Sequence, residues 1–183
     1  YGDHIGGQTL LLSRRLVEAG VPVVPALCSA GDLAGGGGDN WDTHKGHFPK
    51  MKDRLLPVFD RAVSALLTDL DMRGMLDETL VLWGGEFGRT VYCQGKLSKD
   101  KYGRDHHGRC FSMWMAGGGV RGGIEHGETD DFCYNVVRDP VSVNDLNATI
   151  LHCLGLDHER LTYKHRGLDE RLTGVEGANV IHD

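Results

Sequence analysis

TLVLWGGEFGRT occupies positions 79–90. Residues 79–83 are apolar and rich in strand-forming types, so they read as a buried strand. Two glycines then end the strand, and Glu86 and Arg89 follow in a polar stretch. Open α/β sheets present ligand-binding loops in this way, beyond the carboxyl ends of their strands. The glycines leave room for another group to approach the backbone closely. The plainer use of the stretch is a turn in which Glu86 and Arg89 pair at the surface.

On the N-terminal side, residues 6–19 read as a helix. Leu11, Leu12, Leu16 and Ala19 keep helical spacing, and Gly20 supplies the stop. Arg14-Arg15 lies within this segment and reads as helix surface, not as an export signal. VPVVPALC (21–28) reads as a short apolar strand with prolines near its ends. A four-glycine loop follows. Phe48, Met51, Leu55, Phe59, Ala62, Leu66 and Leu70 then recur three or four apart, one face of a long amphipathic helix. Pro57 inside it predicts a kink or a late start.

On the C-terminal side, residues 88–109 read as a polar loop. CFSMWMAGGGV (110–120) reads as a second buried strand ending in glycines. GGGVRG (117–122) matches G-x-G-x-x-G, but the stretch after it is polar and broken by Gly127. A tight turn explains it better than a dinucleotide fingerprint, which needs a helix next. Ser142 and Asp145 form a capping-box pattern for a helix through Leu146, Ile150, Leu151 and Leu154, stopped by Gly155. The last 25 or so residues show no clear period. Strands alternating with helices predict an α/β sheet, mixed or mostly parallel.

Three stretches carry groups suited to chemistry. NWDTHKGHF (40–48), preceded by Asp39, offers Asp42, His44 and His47. Carboxylate and imidazole are natural ligands for zinc, manganese or iron. At a loop or strand end, Asp42 and His44 at i and i+2 can face the same side. His47 is then free to face solvent or open the helix, and an aspartate here can equally serve as a helix cap. Glu86 and Arg89 form the second group; Arg89 has the fork of donors that holds an anionic oxyacid. GRDHHGR (103–109) supplies Asp105, His106 and His107, where a carboxylate can orient a metal-bound imidazole. Separate loops delivering carboxylates and imidazoles are what a metal site requires.

Composition narrows the alternatives. The net charge of −6 disfavours a nucleic-acid binder, which shows a basic excess. No apolar run approaches the ~20 residues of a membrane span. The five cysteines contain no C-x-x-C pair, which disfavours a cysteine-based zinc site; a reduced, buried set is expected.

IGGQTLLLSRRLVEAGVPVV (5–24), NWDTHKGHF (40–48), LVLWGGEFGRT (80–90), GRDHHGRCFSMWMAGGGVRGG (103–123) and DPVSVNDLNATILHCLGLD (139–157) run in one order. Together they resemble the C-terminal half of the bacterial domain-of-unknown-function 1501 (DUF1501) proteins, a family placed with the alkaline phosphatase and sulfatase superfamily. The resemblance implies a layered α/β fold whose central, mixed or mostly parallel sheet is flanked by helices. Residues 1–183 would form a single domain or a fragment of one. It also implies a site for divalent metals at the sheet's C-terminal edge, zinc first, with manganese, calcium or magnesium as alternatives. By motif position, Asp42, His44 and His106 would hold one metal. Glu86 would serve a second, and Asp105 would ligate or support.

The expected activity is hydrolysis of phosphate or sulfate esters, on a small molecule or a polymer. Arg89 would stabilise charge on the transferring group, and His107 would act as general acid. The superfamily's nucleophile would lie upstream of Tyr1. Glu86-Phe87 stands where the superfamily has an aspartate–histidine pair, and Asp42 and His44 are closer than its D-x-x-x-H spacing. These differences define the alternative: a non-catalytic binding or surface protein with the same fold. Family members carry export signals, which makes an exported location the expectation.

Overall fold

The computed structural model describes residues 1–29, 40–99 and 101–182. The glycine run at 35–38 and Asp39 lie outside the described residues. The described chain is a mixed α/β structure that falls into two compact units. The first comprises Tyr1–Leu76 and Phe87–Gly108; the second comprises Asp77–Glu86 and Arg109–Asp183.

In the first unit, helix α1 spans Ile5–Glu18 and begins on His4, whose Nδ1 accepts the Gly7 N–H at 3.0 Å. Its buried stripe is Gly6, Gly7, Leu10 and Arg14. The apolar periodicity had pointed elsewhere: Leu12 and Leu16 are exposed. Close backbone approach explains the difference. A Cβ on Gly6 would lie 2.8 Å from the Ser29 carbonyl oxygen, and one on Gly7 would lie 2.1 Å from that of Tyr1. The two glycines set which face packs, and Arg14, one turn beyond Leu10, is carried inward with them. Buried Arg14 is paired, with Nε 3.0 Å from Asp69 and Nη1 on Glu18.

The opposing helix is a continuous helical run in three parts. Helix α2 spans His47–Lys50, a π-helical turn spans Met51–Leu55, and helix α3 spans Leu56–Met72. Pro57 has no N–H to donate to the turn before it, which accounts for the expected irregularity there. Leu55, Ala62, Val63, Leu66 and Leu70 are buried, and α3 packs against α1. Asp69 on α3 binds Arg73 at 2.6 Å and accepts the Tyr1 hydroxyl at 2.8 Å. VPVVPALC forms no strand; Val21, Val23 and Leu27 are exposed. Strands β2 (Gly88–Arg89) and β3 (His106–His107) pair antiparallel within what read as a loop.

In the second unit, strand β1 (Val81–Trp83) pairs antiparallel with β4 (Trp114–Ala116), placing Trp83 opposite Trp114. Their rings stack with centroids 6.1 Å apart. Glycines flank this pair on both sides, and at Gly118 the backbone requires one. A Cβ on Gly84 would meet Met113 Cε at 2.4 Å, and one on Gly118, at φ +54, would meet the Leu80 nitrogen at 2.6 Å. The glycines from 117 onward make a turn closed by the Val120 N–H on the Gly117 carbonyl, with no helix after it. Strands β5 (Glu128–Thr129) and β6 (Val136–Arg138) form a second pair. Helix α4 (Val143–Cys153) starts with the expected reciprocal Ser142–Asp145 capping box.

Strands β7 (Tyr163–His165) and β8 (Leu168–Glu170) form a hairpin in the region that read as irregular. Its turn residues, Arg166 and Gly167, both have positive φ, as a two-residue hairpin turn of type I′ requires. Among the described residues all strands pair in twos and antiparallel, so the expected central, mostly parallel sheet is not seen. No described helix is long and apolar enough to cross a membrane. The cysteines also differ from expectation: all five are unbonded, but only Cys110 is buried, and Cys133 is exposed.

Candidate metal centre

Trp41 anchors the loop that carries the first ligands. Its indole N–H donates to the Cys28 carbonyl at 2.7 Å, and its ring meets Phe59 of α3 edge-on at 5.8 Å. Beyond it the chain turns tightly: the Asn40 side chain accepts the Asp42 N–H, and the Asp42 carbonyl accepts the His44 N–H at 3.1 Å. Thr43 points inward and is fully buried, with its hydroxyl 2.6 Å from His47 Nδ1. Asp42 and His44, on either side of it, share the opposite face, as their i, i+2 spacing predicts.

The second wall is the 102–107 segment. His47 N–H donates to the Tyr102 carbonyl at 2.7 Å, and Arg104 N–H to that of Thr43 at 3.2 Å. Gly103 lies so close to the first loop that a Cβ there would sit 1.8 Å from the His44 carbonyl oxygen. Strand β3 then presents His106 opposite Arg89 of β2. The Phe87 ring lies 4.5 Å from the His106 ring and restricts its rotation.

Three donor atoms converge here. His44 Nε2 is 2.7 Å and His106 Nε2 3.1 Å from Asp42 Oδ1, and the two nitrogens are 3.2 Å apart. Among the described residues this is the group of carboxylate and imidazole donors close enough together to hold an ion. A tetrahedral ion ~2.0–2.1 Å from each donor sets donor–donor separations of about 3.3 Å. The observed triangle is one face of that tetrahedron, contracted by roughly 0.1–0.6 Å. Two histidines and one carboxylate suit zinc, manganese or iron(II).

Protonation sharpens the point. The Gln94 side-chain oxygen contacts His44 Nδ1, a contact that a proton on Nδ1 satisfies. In the tautomer with that proton alone, His44 Nε2 presents a lone pair to a carboxylate oxygen 2.7 Å away. Two lone pairs at that distance repel, and a cation shared between them removes the repulsion. Asp105 supports from behind. Its Oδ1 accepts the His106 backbone N–H at 2.8 Å and lies 4.0 Å from His44 Nδ1, so it holds the His106 backbone and does not complete the triangle.

Arg89 Nη2 lies 2.7 Å from Asp42 Oδ1, while its buried Nη1 has no hydrogen-bond partner among the described residues. Burial pushes the Asp42 carboxyl up, but hydrogen bonds from Arg89 and His106 and the charges of Arg89 and His44 outweigh it. The net effect is a carboxyl below its usual range. His47 is held below the usual imidazole range by burial, then by the charges of Arg104 and Arg89.

The structure thus brings together Asp42, His44, His106 and Arg89, with Asp105 behind them. Glu86 is exposed and belongs to the second unit. His107 lies outside the triangle: successive strand residues face opposite ways, and His107 is buried where His106 is exposed. Gln94 was not foreseen. Nothing in its local sequence marks it; it arrives through an isolated backbone bridge to Gly103.

No curated protein and no solved structure matches the chain. The profile of the family described as "Protein of unknown function (DUF1501)" matches residues 1–183. The chain belongs to the DUF1501 family.

Proposed function

We propose that this chain is a metal-dependent hydrolase domain for phosphate or sulfate esters, with one divalent cation, zinc first, held by Asp42, His44 and His106. The observation that carries the reading is the triangle of donors, with His44 Nε2 2.7 Å from Asp42 Oδ1 and 3.2 Å from His106 Nε2. A bound cation would supply Lewis-acid polarisation of an ester oxygen. The remaining work falls to the chain itself. Arg89 holds Asp42 through Nη2 and sets its positive charge beside the cluster, where it would stabilise an anionic ester oxygen. Gln94 contacts the His44 imidazole, Asp105 holds the His106 backbone N–H, and Phe87 limits the swing of the His106 ring.

This reading uses one metal where the superfamily pattern implied two, because the triangle of Asp42, His44 and His106 offers donors for one ion. Kinship with the alkaline phosphatase and sulfatase superfamily, the layered sheet and an exported location belong to the same proposal. The order of the five motifs supports them.

The Arg89–Asp42 pair favours a second reading. There the guanidinium is the cation of the cluster, a second proton on His44 satisfies the short contact, and the fold serves as a non-catalytic binding protein. Elemental analysis of the purified chain, with assays on an aryl phosphate, a phosphodiester and a sulfate ester, separates the two. Stoichiometric metal with turnover abolished by Asp42→Ala supports the hydrolase. Metal without turnover supports the binding protein, and absence of both removes the metal reading.

A further inference from the structure

In the second unit, Cys110 follows Arg109 and is buried, while Cys133 sits at the exposed tip of the loop between β5 and β6. They are 23 positions apart, yet Cys110 Sγ lies 3.1 Å from the Cys133 carbonyl oxygen. Given standard covalent lengths, that contact keeps the two Cα atoms within about 8 Å, a bound that contains the roughly 4.4–6.8 Å a disulfide spans.

Both sides are held in place. The Asp130 carboxylate accepts the N–H groups of Phe132, Tyr134 and Asn135 and the Asn135 side-chain amide, and the Cys133 N–H donates to the Asp130 carbonyl. Across from this loop, Arg109 donates to Asn135 Oδ1 at 3.1 Å and lies over the Tyr134 ring at 5.7 Å. The two cysteines are therefore kept as neighbours by contacts that do not involve sulfur. Cys133 also has φ +51, a left-handed conformation that favours glycine.

We propose that Cys110 and Cys133 form an intramolecular disulfide that fastens the β5–β6 loop to the segment entering β4. The co-reactant is a small-molecule disulfide such as oxidised glutathione. The exposed Cys133 loses its proton and attacks one glutathione sulfur, forming a mixed disulfide and releasing one glutathione thiolate. Cys110 then loses its proton and attacks the Cys133 sulfur, releasing the second. Two cysteine thiols are oxidised, and one glutathione disulfide is reduced to two thiols. Burial, the Asp130 charge and the neighbouring Cys133 all hold the Cys110 thiol above its usual range, so the second step speeds up as pH rises.

The experiment is non-reducing peptide mapping of the full chain after equilibration with oxidised and reduced glutathione. Trypsin cleaves after Arg109, Arg121 and Arg138, which puts the two cysteines on separate peptides, 110–121 and 122–138. The proposal expects these two joined by loss of two hydrogens and separated by reductant, with titratable thiols falling from five to three. A Cys133→Gly variant, which relieves the positive φ, should keep Cys110 as a free thiol under the same conditions. Free thiols at both positions in the oxidised wild-type chain overturn the proposal. So does pairing of either cysteine with Cys28, Cys93, Cys153 or a second chain.

Discussion

At the scale of single residues, the candidate centre depends on two kinds of position: donors, and the small or silent residues that aim them. Gly103 is of the second kind. A Cβ there would lie 1.8 Å from the His44 carbonyl oxygen, with backbone and not a flexible side chain as its neighbour. Gly103→Ala should cost about 1–3 kcal/mol, as overpacking does. It should also weaken zinc binding by displacing His44; denaturant melts and zinc titration check both. Gln94→Ala should weaken zinc binding with a smaller effect on stability. Loss of a partner that orients a metal ligand costs about 10–100-fold in affinity.

Asp42 and His44 were legible because i, i+2 spacing in an extended turn fixes a shared face. Gln94 was not, since its contact with His44 spans 50 positions and no local pattern announces it. His106 and His107 stand side by side in sequence. Which one faces the centre depends on the register of a two-residue strand, and hydropathy does not encode that.

At the scale of elements, long periodic segments were readable and short ones were not. Leu70, 1% exposed, lies on the face of α3 that the three- and four-residue spacing picks out. Leu70→Ala should destabilise by about 2–5 kcal/mol, read as a shift in the urea midpoint. The start of α4 was legible because the Ser142–Asp145 box is a local signal, with each side chain satisfying the other's backbone N–H. Ser142→Ala should cost about 1 kcal/mol. By contrast, the apolar composition of VPVVPALC suggested a strand that the chain does not form. A strand needs a partner for its N–H and C=O groups, and Pro22 and Pro25 each lack one of these donors. For α1, apolar periodicity gave the helix but the wrong face. The deciding groups were Gly6 and Gly7, which hydropathy does not weight, and an arginine whose charge is matched by Glu18 and Asp69.

At the scale of the whole molecule, charge sets the pH window of stability. Asp42, Asp69, Asp130, Asp145 and Asp157 are each held below the usual carboxyl range. For Asp69 the causes are first the Arg73 hydrogen bond, then that of the Tyr1 hydroxyl; for Asp130 and Asp157 they are chiefly backbone N–H groups. A depressed acid contributes stability that is present above its unfolded pKa, about 3.9, and is lost as pH falls through the folded value. The urea midpoint should therefore hold near neutrality and drop steeply below pH ~4. Tyr1 gives the opposite sign. Burial and its bond to Asp69 raise it to about 12, so its contribution holds below the usual phenol value and fades as pH climbs toward 12.

None of this needs a metal, whereas the functional account does. The most direct test of it is an anomalous difference map, at the zinc absorption edge, of crystals of the chain grown with zinc. The account predicts a peak about 2.0–2.2 Å from Asp42 Oδ1, His44 Nε2 and His106 Nε2. A zinc-soaked crystal with no peak there, and with Arg89 still seated on Asp42, would contradict it.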